Sequence, residues 1–308
     1  MFANRLFINM KNTVSIFISN HVKTFVSDQL DFLTYSLNNN GIDCVQSEEL
    51  RKDVPNILIE NFTMHDVTAI EKFKKKYNDV DLFCVITEHF EVSDGGLLLN
   101  DEPFDSPRSY IPNLYERFIN FFRLSTSFSG LIVLNNSPDK QKIQEILPTH
   151  KIFSFDGFPV PSCITKPLAD SIKKEYDLCF FGTPTNHRLA IIKELKQAFN
   201  IYSDFGVTPK DRDKIIKQSH FNINIAQSES WINISPMRVF SSSKLGVWTI
   251  NLSSVLKHNL PGVIDMQLPE LIKNGLPTQT TISNFPDYDD TKYKNNVPSL
   301  DGFDLWIT

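Results

Sequence analysis

The sequence predicts an α/β protein of two parallel-sheet domains, and three observations predict it. Short apolar runs alternate with longer amphipathic stretches. One of those runs, Asp81-Leu82-Phe83-Cys84-Val85-Ile86-Thr87, is apolar almost throughout, as a parallel strand covered on both faces must be. The alternation occurs twice, and a segment rich in turn formers, Asp156-Gly157-Phe158-Pro159-Val160-Pro161-Ser162, joins the two series. Such alternation builds parallel sheets with helical crossovers, so two series predict two Rossmann-like domains, 1–160 and 161–308.

In the first series, Thr13 to Ile18 reads as a strand. Val22 to Asn38 has helical spacing (Val22, Val26, Leu30, Leu33, Leu37) and meets a stop signal at Asn40-Gly41. Ile42 to Val45 and Asn56 to Glu60 read as the next strands, Val67 to Tyr77 as a helix, and Asp81 to Thr87 as the apolar strand already quoted. Residues 90–107, with Asp94-Gly95-Gly96 and two prolines, read as a loop free to move over a cleft. Tyr110 to Phe128 reads as a helix, Gly130 to Leu134 as a strand, Lys140 to Leu147 as a helix and Lys151 to Phe155 as a strand. The second series runs strand Tyr176–Phe181, helix Arg188–Phe199, strand Ile201–Asp204, helix Lys210–Lys217 and strand Phe221–Ala226. It ends with helix Pro236–Leu245 and strand Val247–Leu252. The polar tail from Pro277 has no clear period.

Composition narrows the function classes. The chain has 308 residues, enough for two ordinary domains, with 41% hydrophobic and 22% charged residues and 25 Phe. A net charge of −5 argues against a nucleic-acid partner, which calls for a concentrated basic surface. The basic run Lys72 to Lys76 reads as a solvated helix face. The four cysteines are far apart and form no C-x-x-C pair, which suits a reducing compartment and gives a zinc site no support. No run of about 18 apolar residues is present and Met1 to Lys11 makes a poor signal peptide. The expectation is a cytoplasmic protein, with peripheral attachment at the inner face of the membrane left open.

In open parallel sheets ligands sit beyond the carboxyl ends of the strands, so the segments after each strand carry the chemistry. After Phe181 come Gly182, Thr183, Thr185, His187 and Arg188. Gly182 suits a tight turn, Thr183 and Thr185 suit helix caps, and the free amides with a nearby His and Arg suit a phosphate. The same segment also reads as a simply capped strand–helix turn. After Ala226 the loop Gln227-Ser228-Glu229-Ser230-Trp231-Ile232-Asn233-Ile234-Ser235 is dense in hydrogen-bonding groups, with Ser235 as cap and Pro236 as first helical residue. Arg238 then stands in a first turn, where the helix dipole opposes a cation unless an anion is nearby. Pairing with Glu229, or plain solvation, is the alternative.

Arg238-Val239-Phe240-Ser241-Ser242-Ser243-Lys244-Leu245-Gly246, followed by apolar Val247-Trp248-Thr249-Ile250, resembles the donor-site signature of GT-B glycosyltransferases. It is most similar to the CgeB-like group, with a glycosyltransferase family 1-like C-terminal domain. The strand with Asn222-Ile223-Asn224, the Ser/Glu loop after it, and Tyr176 to Gly182 with Arg188 resemble the same group. The resemblance spans roughly 176–252. It implies two Rossmann-like domains facing across a cleft, a C-terminal half for the nucleotide sugar and an N-terminal half for the acceptor. It further implies donor contacts from Gly182, Thr183, Thr185, His187, Arg188, Glu229, Ser235, Arg238, Ser241 and Lys244, and no metal or cofactor besides the nucleotide-sugar co-substrate. The family's ribose-binding Glu position is Ser241 here, and a hydroxyl cannot grip two ribose hydroxyls as a carboxylate does. That opens UDP- or GDP-sugars, or a CMP-activated acid sugar such as a Kdo donor.

On the acceptor side, Glu88 and His89 follow the apolar strand, where a carboxylate or imidazole serves as general base, or a carboxylate as nucleophile. They also read as a strand end meeting solvent. Glu60 is a weaker version of the same idea, Ser19-Asn20-His21 suits an acceptor-binding loop, and Glu116 and Arg117 read as a helix-surface pair. The resemblance implies transfer of a hexosyl or Kdo-type sugar to a saccharide or lipid-linked saccharide acceptor in bacterial surface-polysaccharide synthesis. A nucleotide-sugar epimerase or hydrolase of the same fold, or a non-catalytic saccharide-binding module, are the rival readings.

Overall fold

A computed structural model of the chain describes residues 12–19, 26–87, 90–93, 96–99, 102–103, 114–134, 138–154, 172–229, 234–252 and 262–278. Two compact units divide the chain: of the described residues, the first takes in those up to 26 and from 33 to 154, and the second those from 27 to 32 and from 172 onward.

The first unit is built on short apolar strands: β1 (Thr13–Phe17), β2 (Asp43–Ser47), β3 (Asn56–Ile59), β4 (Leu82–Ile86), β8 (Gly130–Val133) and β9 (Ile152–Ser154). All pair in parallel, in the order β2-β1-β3-β4-β8-β9. β3, β4 and β8 are buried at every position, as strands covered on both faces must be. Helices α1 (Ser27–Asn39), α2 (Met64–Lys76), α3 (Leu114–Leu124) and α4 (Pro138–Ile146) supply the crossovers. The core joins Leu58, Cys84 and Leu131 from the sheet with Val67, Ile70, Phe118 and Phe121 from α2 and α3.

Helix α2 starts on a reciprocal capping box. Thr63 accepts from the Asp66 amide at 3.3 Å, and the Asp66 carboxylate accepts from the Thr63 amide at 2.8 Å. Thr63→Ala is expected to lower stability by about 1 kcal/mol in urea unfolding, since the Asp66 amide loses its side-chain acceptor. A change below a few tenths of a kcal/mol would show that the cap contributes nothing.

Residues 90–107 are not the loop that the sequence suggested. Their described part is a three-stranded antiparallel sheet of β5 (Phe90–Ser93), β6 (Gly96–Leu99) and β7 (Glu102–Pro103). Asp94-Gly95 between two β-prone runs is a hairpin signal, outweighed in the sequence reading by the density of turn formers. Helix α3 ends at Leu124, four residues earlier than its pattern suggested, and passes into a 3₁₀ turn, Ser125–Ser127. Helix α1 begins at Ser27, and Val22 lies outside the described residues.

The second unit holds β10 (Tyr176–Phe181), β11 (Ile201–Asp204), β12 (Ser219–Asn224), β13 (Trp248–Leu252) and β14 (Val263–Met266), again all parallel, in the order β11-β10-β12-β13-β14. Its helices are α5 (Asn186–Leu195), α6 (Pro209–Lys217), α7 (Pro236–Ser243) and α8 (Leu268–Asn274). β14 and α8 had no counterpart in the sequence reading, because a four-residue strand and a seven-residue helix carry too few periods to stand out. Gly246, between α7 and β13, has φ +69°, a left-handed conformation that favours glycine at a helix end. Leu178, Phe180, Ile223 and Ile250 fill the core against Ile192, Leu195 and Leu271.

Candidate functional site

The strand order of the second unit fixes where a ligand belongs. From β10 the chain crosses by α5 to β11 on one side, and from β12 it crosses by α7 to β13 on the other. The connections leaving β10 and β12 therefore diverge, which opens a crevice at their carboxyl ends. Arginines from both departing helices converge there.

Arg188, in the first turns of α5, is buried. Its Nε donates to the Ile225 carbonyl at 3.0 Å and its Nη1 to the Thr183 carbonyl at 2.9 Å. Arg238, from the first turn of α7, is half-buried. Its Nε donates to the Phe181 carbonyl at 3.2 Å and its Nη1 to Asn224 Oδ1 at 2.5 Å. Both guanidiniums lie over the Phe180 ring, at 5.5 Å for Arg188 and 5.1 Å for Arg238. Among the described residues no carboxylate hydrogen-bonds to Arg238: its acceptors are a carbonyl and a carboxamide. Desolvation, and then the like charge of Arg188, push the Arg238 pKa down to about 9. Two cations on one ring, one of them with neutral acceptors only, form a site complementary to an anion.

The surrounding turn holds this arrangement. Thr185 caps α5 by accepting from the Arg188 amide at 3.2 Å and donates its hydroxyl to the Gln227 carbonyl at 2.7 Å, pinning the two diverging connections together. Gly182 serves a purpose other than the tight turn expected of it. A Cβ there would stand 2.8 Å from Arg238 Nη2 and 3.1 Å from Phe180 Cζ, so the glycine makes room for the guanidinium. Gly182→Ala is accordingly expected to leave the melting temperature within a few degrees, because a flexible side-chain end yields. Anion binding should nevertheless weaken about tenfold as Arg238 is displaced. Unchanged binding of a nucleoside diphosphate would overturn this.

Other sequence-derived donor residues are placed less uniformly. Thr183 is exposed and His187 half-buried at the start of α5. Ser235 occupies the N-cap position of α7, but its side chain makes no capping hydrogen bond. Glu229 is exposed. Ser241 is buried and its hydroxyl finds no partner among the described residues. Lys244 stands at the opposite end of α7 from the first-turn arginine, with its Nζ 2.7 Å from Asp31 Oδ2 and 3.8 Å from Asp213 Oδ2.

In the first unit, Glu88 and His89 lie outside the described residues, as do Asn20 and His21. Glu60 at the end of β3 is fully buried, and Arg117 is its partner, so the expectation of a helix-surface pair with Glu116 is corrected. Arg117 Nε donates to Glu60 Oε1 at 2.5 Å, Nη2 donates to Glu60 Oε2, and Thr87 Oγ1 donates to Glu60 Oε2 at 2.9 Å. Glu116 is exposed. The sequence could not show this pairing, because its partners are 57 residues apart. A cavity of about 560 Å³ opens at the ends of β1 and β2, lined by Ser19, Glu48, Glu49, His65 and Asp66 among others, and no lysine or arginine lines it among the described residues. Among the described residues no group of three His, Cys, Asp or Glu is placed to hold a metal ion, and no helix is long and apolar enough to cross a membrane.

Two parallel Rossmann-like sheets of six and five strands define the chain as an α/β protein with the fold of the GT-B glycosyltransferases. Among solved structures it is similar to a DNA-modifying β-glucosyltransferase studied with and without uridine diphosphoglucose, at 11% identity over 96% of this chain and 99% of that one, with a TM-score of 0.53. It is also similar to the T4 phage β-glucosyltransferase in complex with UDP-glucose (13% identity, 92% of each chain, TM-score 0.49). A third is AviGT4, a glycosyltransferase involved in avilamycin A biosynthesis (13% identity, 92% of this chain and 91% of that one, TM-score 0.45). No family model matches the sequence, and no curated protein does.

Proposed function

We propose that the chain is a glycosyltransferase that grips the phosphate of a nucleotide sugar in the crevice between β10 and β12. The observation that carries the reading is Arg238: a guanidinium whose acceptors among the described residues are neutral, stacked on Phe180 beside Arg188, at the carboxyl ends of the strands. A leaving nucleoside phosphate gains negative charge as the glycosidic bond breaks, and a preorganised cation pair stabilises that charge more than it stabilises the ground state. The fold supports the same reading, since the similar β-glucosyltransferase has UDP-glucose as its substrate. The narrower CgeB-like likeness rests on the Arg238-to-Gly246 segment and on the Asn222-Ile223-Asn224 strand.

For the donor we favour a UDP- or GDP-hexose, with a CMP-activated acid sugar as the second choice, because Ser241 stands where a ribose-binding carboxylate is expected. For the acceptor we favour a saccharide, free or lipid-linked, of the kind used in bacterial surface-polysaccharide synthesis, at the inner face of the membrane. The cavity in the first unit carries Glu48, Glu49 and Asp66 and would repel a polyanion such as DNA. Glu88 or His89 would take the acceptor proton. No metal or cofactor is required by this scheme.

Calorimetric titration with UDP, GDP and CMP, followed by product analysis with saccharide acceptors, tests the proposal. Binding of one nucleotide, and turnover that requires an acceptor, are the expected results. Donor breakdown without acceptor would favour a hydrolase or epimerase. No nucleotide binding at millimolar concentration would favour a saccharide-binding module and sink the donor site.

A further inference from the structure

We infer that Asp265, two strands away from the crevice, sets the direction of a hydrogen-bond chain that presents an acceptor to Arg238, and that Asn251 and Asp265 are positioning residues for the anion site. The binding arm of this inference rests on the donor-site reading above.

The parallel register sets Asn224 of β12 against Asn251 of β13, and Asn251 against Asp265 of β14. The three side chains are joined in line. Asn251 Nδ2 donates to Asp265 Oδ1 at 2.7 Å, Asn224 Nδ2 donates to Asn251 Oδ1 at 2.7 Å, and Arg238 Nη1 donates to Asn224 Oδ1 at 2.5 Å. Asn224 and Asn251 are buried, at 3% and 1% exposure, so a misdirected amide there would leave a polar group unsatisfied.

The direction of the chain follows from its two ends. A carboxamide can turn either its oxygen or its NH2 group toward a neighbour, whereas a carboxylate only accepts and a guanidinium only donates. Asp265 therefore fixes the NH2 of Asn251 toward β14, which leaves the Asn251 oxygen facing Asn224. That oxygen in turn fixes the NH2 of Asn224, which leaves the Asn224 oxygen facing Arg238. Each amide dipole reinforces the next. With Asn224 Oδ1 holding Nη1 and the Phe181 carbonyl holding Nε, the guanidinium is fixed over the Phe180 ring by two neutral acceptors. The arrangement orients Arg238 and keeps its charge available, which a carboxylate in direct contact would not do.

The test is Asp265→Asn, which keeps the size and the hydrogen-bonding capacity at 265 but lets the chain reverse. Asn251→Leu, which keeps the charge but cuts the chain, is the second variant. UDP binding is read by calorimetry, and the Arg238 Nε–Hε resonance by ¹⁵N NMR without ligand. Both variants are expected to shift or broaden the Arg238 resonance and to raise the Kd for UDP about fivefold to tenfold, a size usual for coupled residues of one network. Simple electrostatics predicts the opposite sign for Asp265→Asn, since loss of a remote negative charge would tighten anion binding. Unchanged or tighter UDP binding with an unmoved Arg238 resonance would overturn the inference while leaving the donor site standing. A moved Arg238 resonance in the variants, with a parent protein that binds no UDP, would uphold the chain and overturn the donor reading instead.

Discussion

Replacement of Arg238 by alanine is expected to weaken nucleotide binding about a hundredfold, roughly the 3 kcal/mol that a charged hydrogen-bonding group contributes to an anion complex. Stability should change little. The truncation leaves the Phe181 carbonyl and Asn224 Oδ1 without their donor, a loss of about 1–3 kcal/mol, but it also removes a desolvated cation packed beside Arg188. The sign of that second term follows from the lowered pKa. Folding depresses the Arg238 pKa from its ordinary 12.5 to about 9, so between those values the native state holds fewer protons than the unfolded chain and stability rises with pH. Below pH 9 the charged guanidinium therefore costs stability, and its removal offsets the lost hydrogen bonds. Arg238→Lys should recover only part of the binding, since an ammonium cannot serve Phe181, Asn224 and the Phe180 ring at once. In the parent, nucleotide affinity should hold from neutral pH to about 9 and then fall about tenfold per pH unit as the guanidinium loses its proton. An Arg238→Ala variant that binds as the parent does would remove Arg238 from the site.

The parallel strands were legible because covered strands are apolar along their whole length, and β4 and β8 show it without ambiguity. The small antiparallel sheet at 90–103 was not, because its strands are two to four residues long and its turn residues dominate the local composition. Arg188 and Arg238 could be marked from strand-end position and from the unfavourable placement of a cation in a helix first turn. What the sequence could not show is what they meet. Phe180 read as core, Asn251 and Asp265 attracted no notice, and Gly182 was credited with a turn when its use is to leave space for a guanidinium. A usable signal was present in the strands themselves: Asn224, Asn251 and Asp265 each interrupt an apolar run near its carboxyl end. A polar side chain there must have a partner, and parallel register lets successive strands provide it.

Glu60 shows the same limit in the other unit, and it carries the largest expected effect on folding. The side chain is fully buried and the Arg117 side chain is 11% exposed, so each charge depends on the other and on Thr87. Glu60→Ala would strand a guanidinium in the interior, and the expected loss is about 3–5 kcal/mol in urea unfolding, much more than the 0–1 kcal/mol of an exposed pair such as Arg123 with Glu71. The double variant Glu60→Leu with Arg117→Met should be less destabilised than either single charge deletion, because no unpaired charge is left behind. Glu60→Gln keeps an acceptor for Arg117, and should lose less stability than Glu60→Ala. The series also decides what the carboxylate at the end of β3 is for. If its purpose is to hold Arg117 and Thr87, the Gln variant will keep its turnover number while its unfolding midpoint drops. If Glu60 is instead the base of the reaction, turnover will collapse in Gln as completely as in Ala, with stability a secondary matter. The bidentate geometry favours the first outcome, since a carboxylate with both oxygens engaged by a guanidinium is a poor proton acceptor.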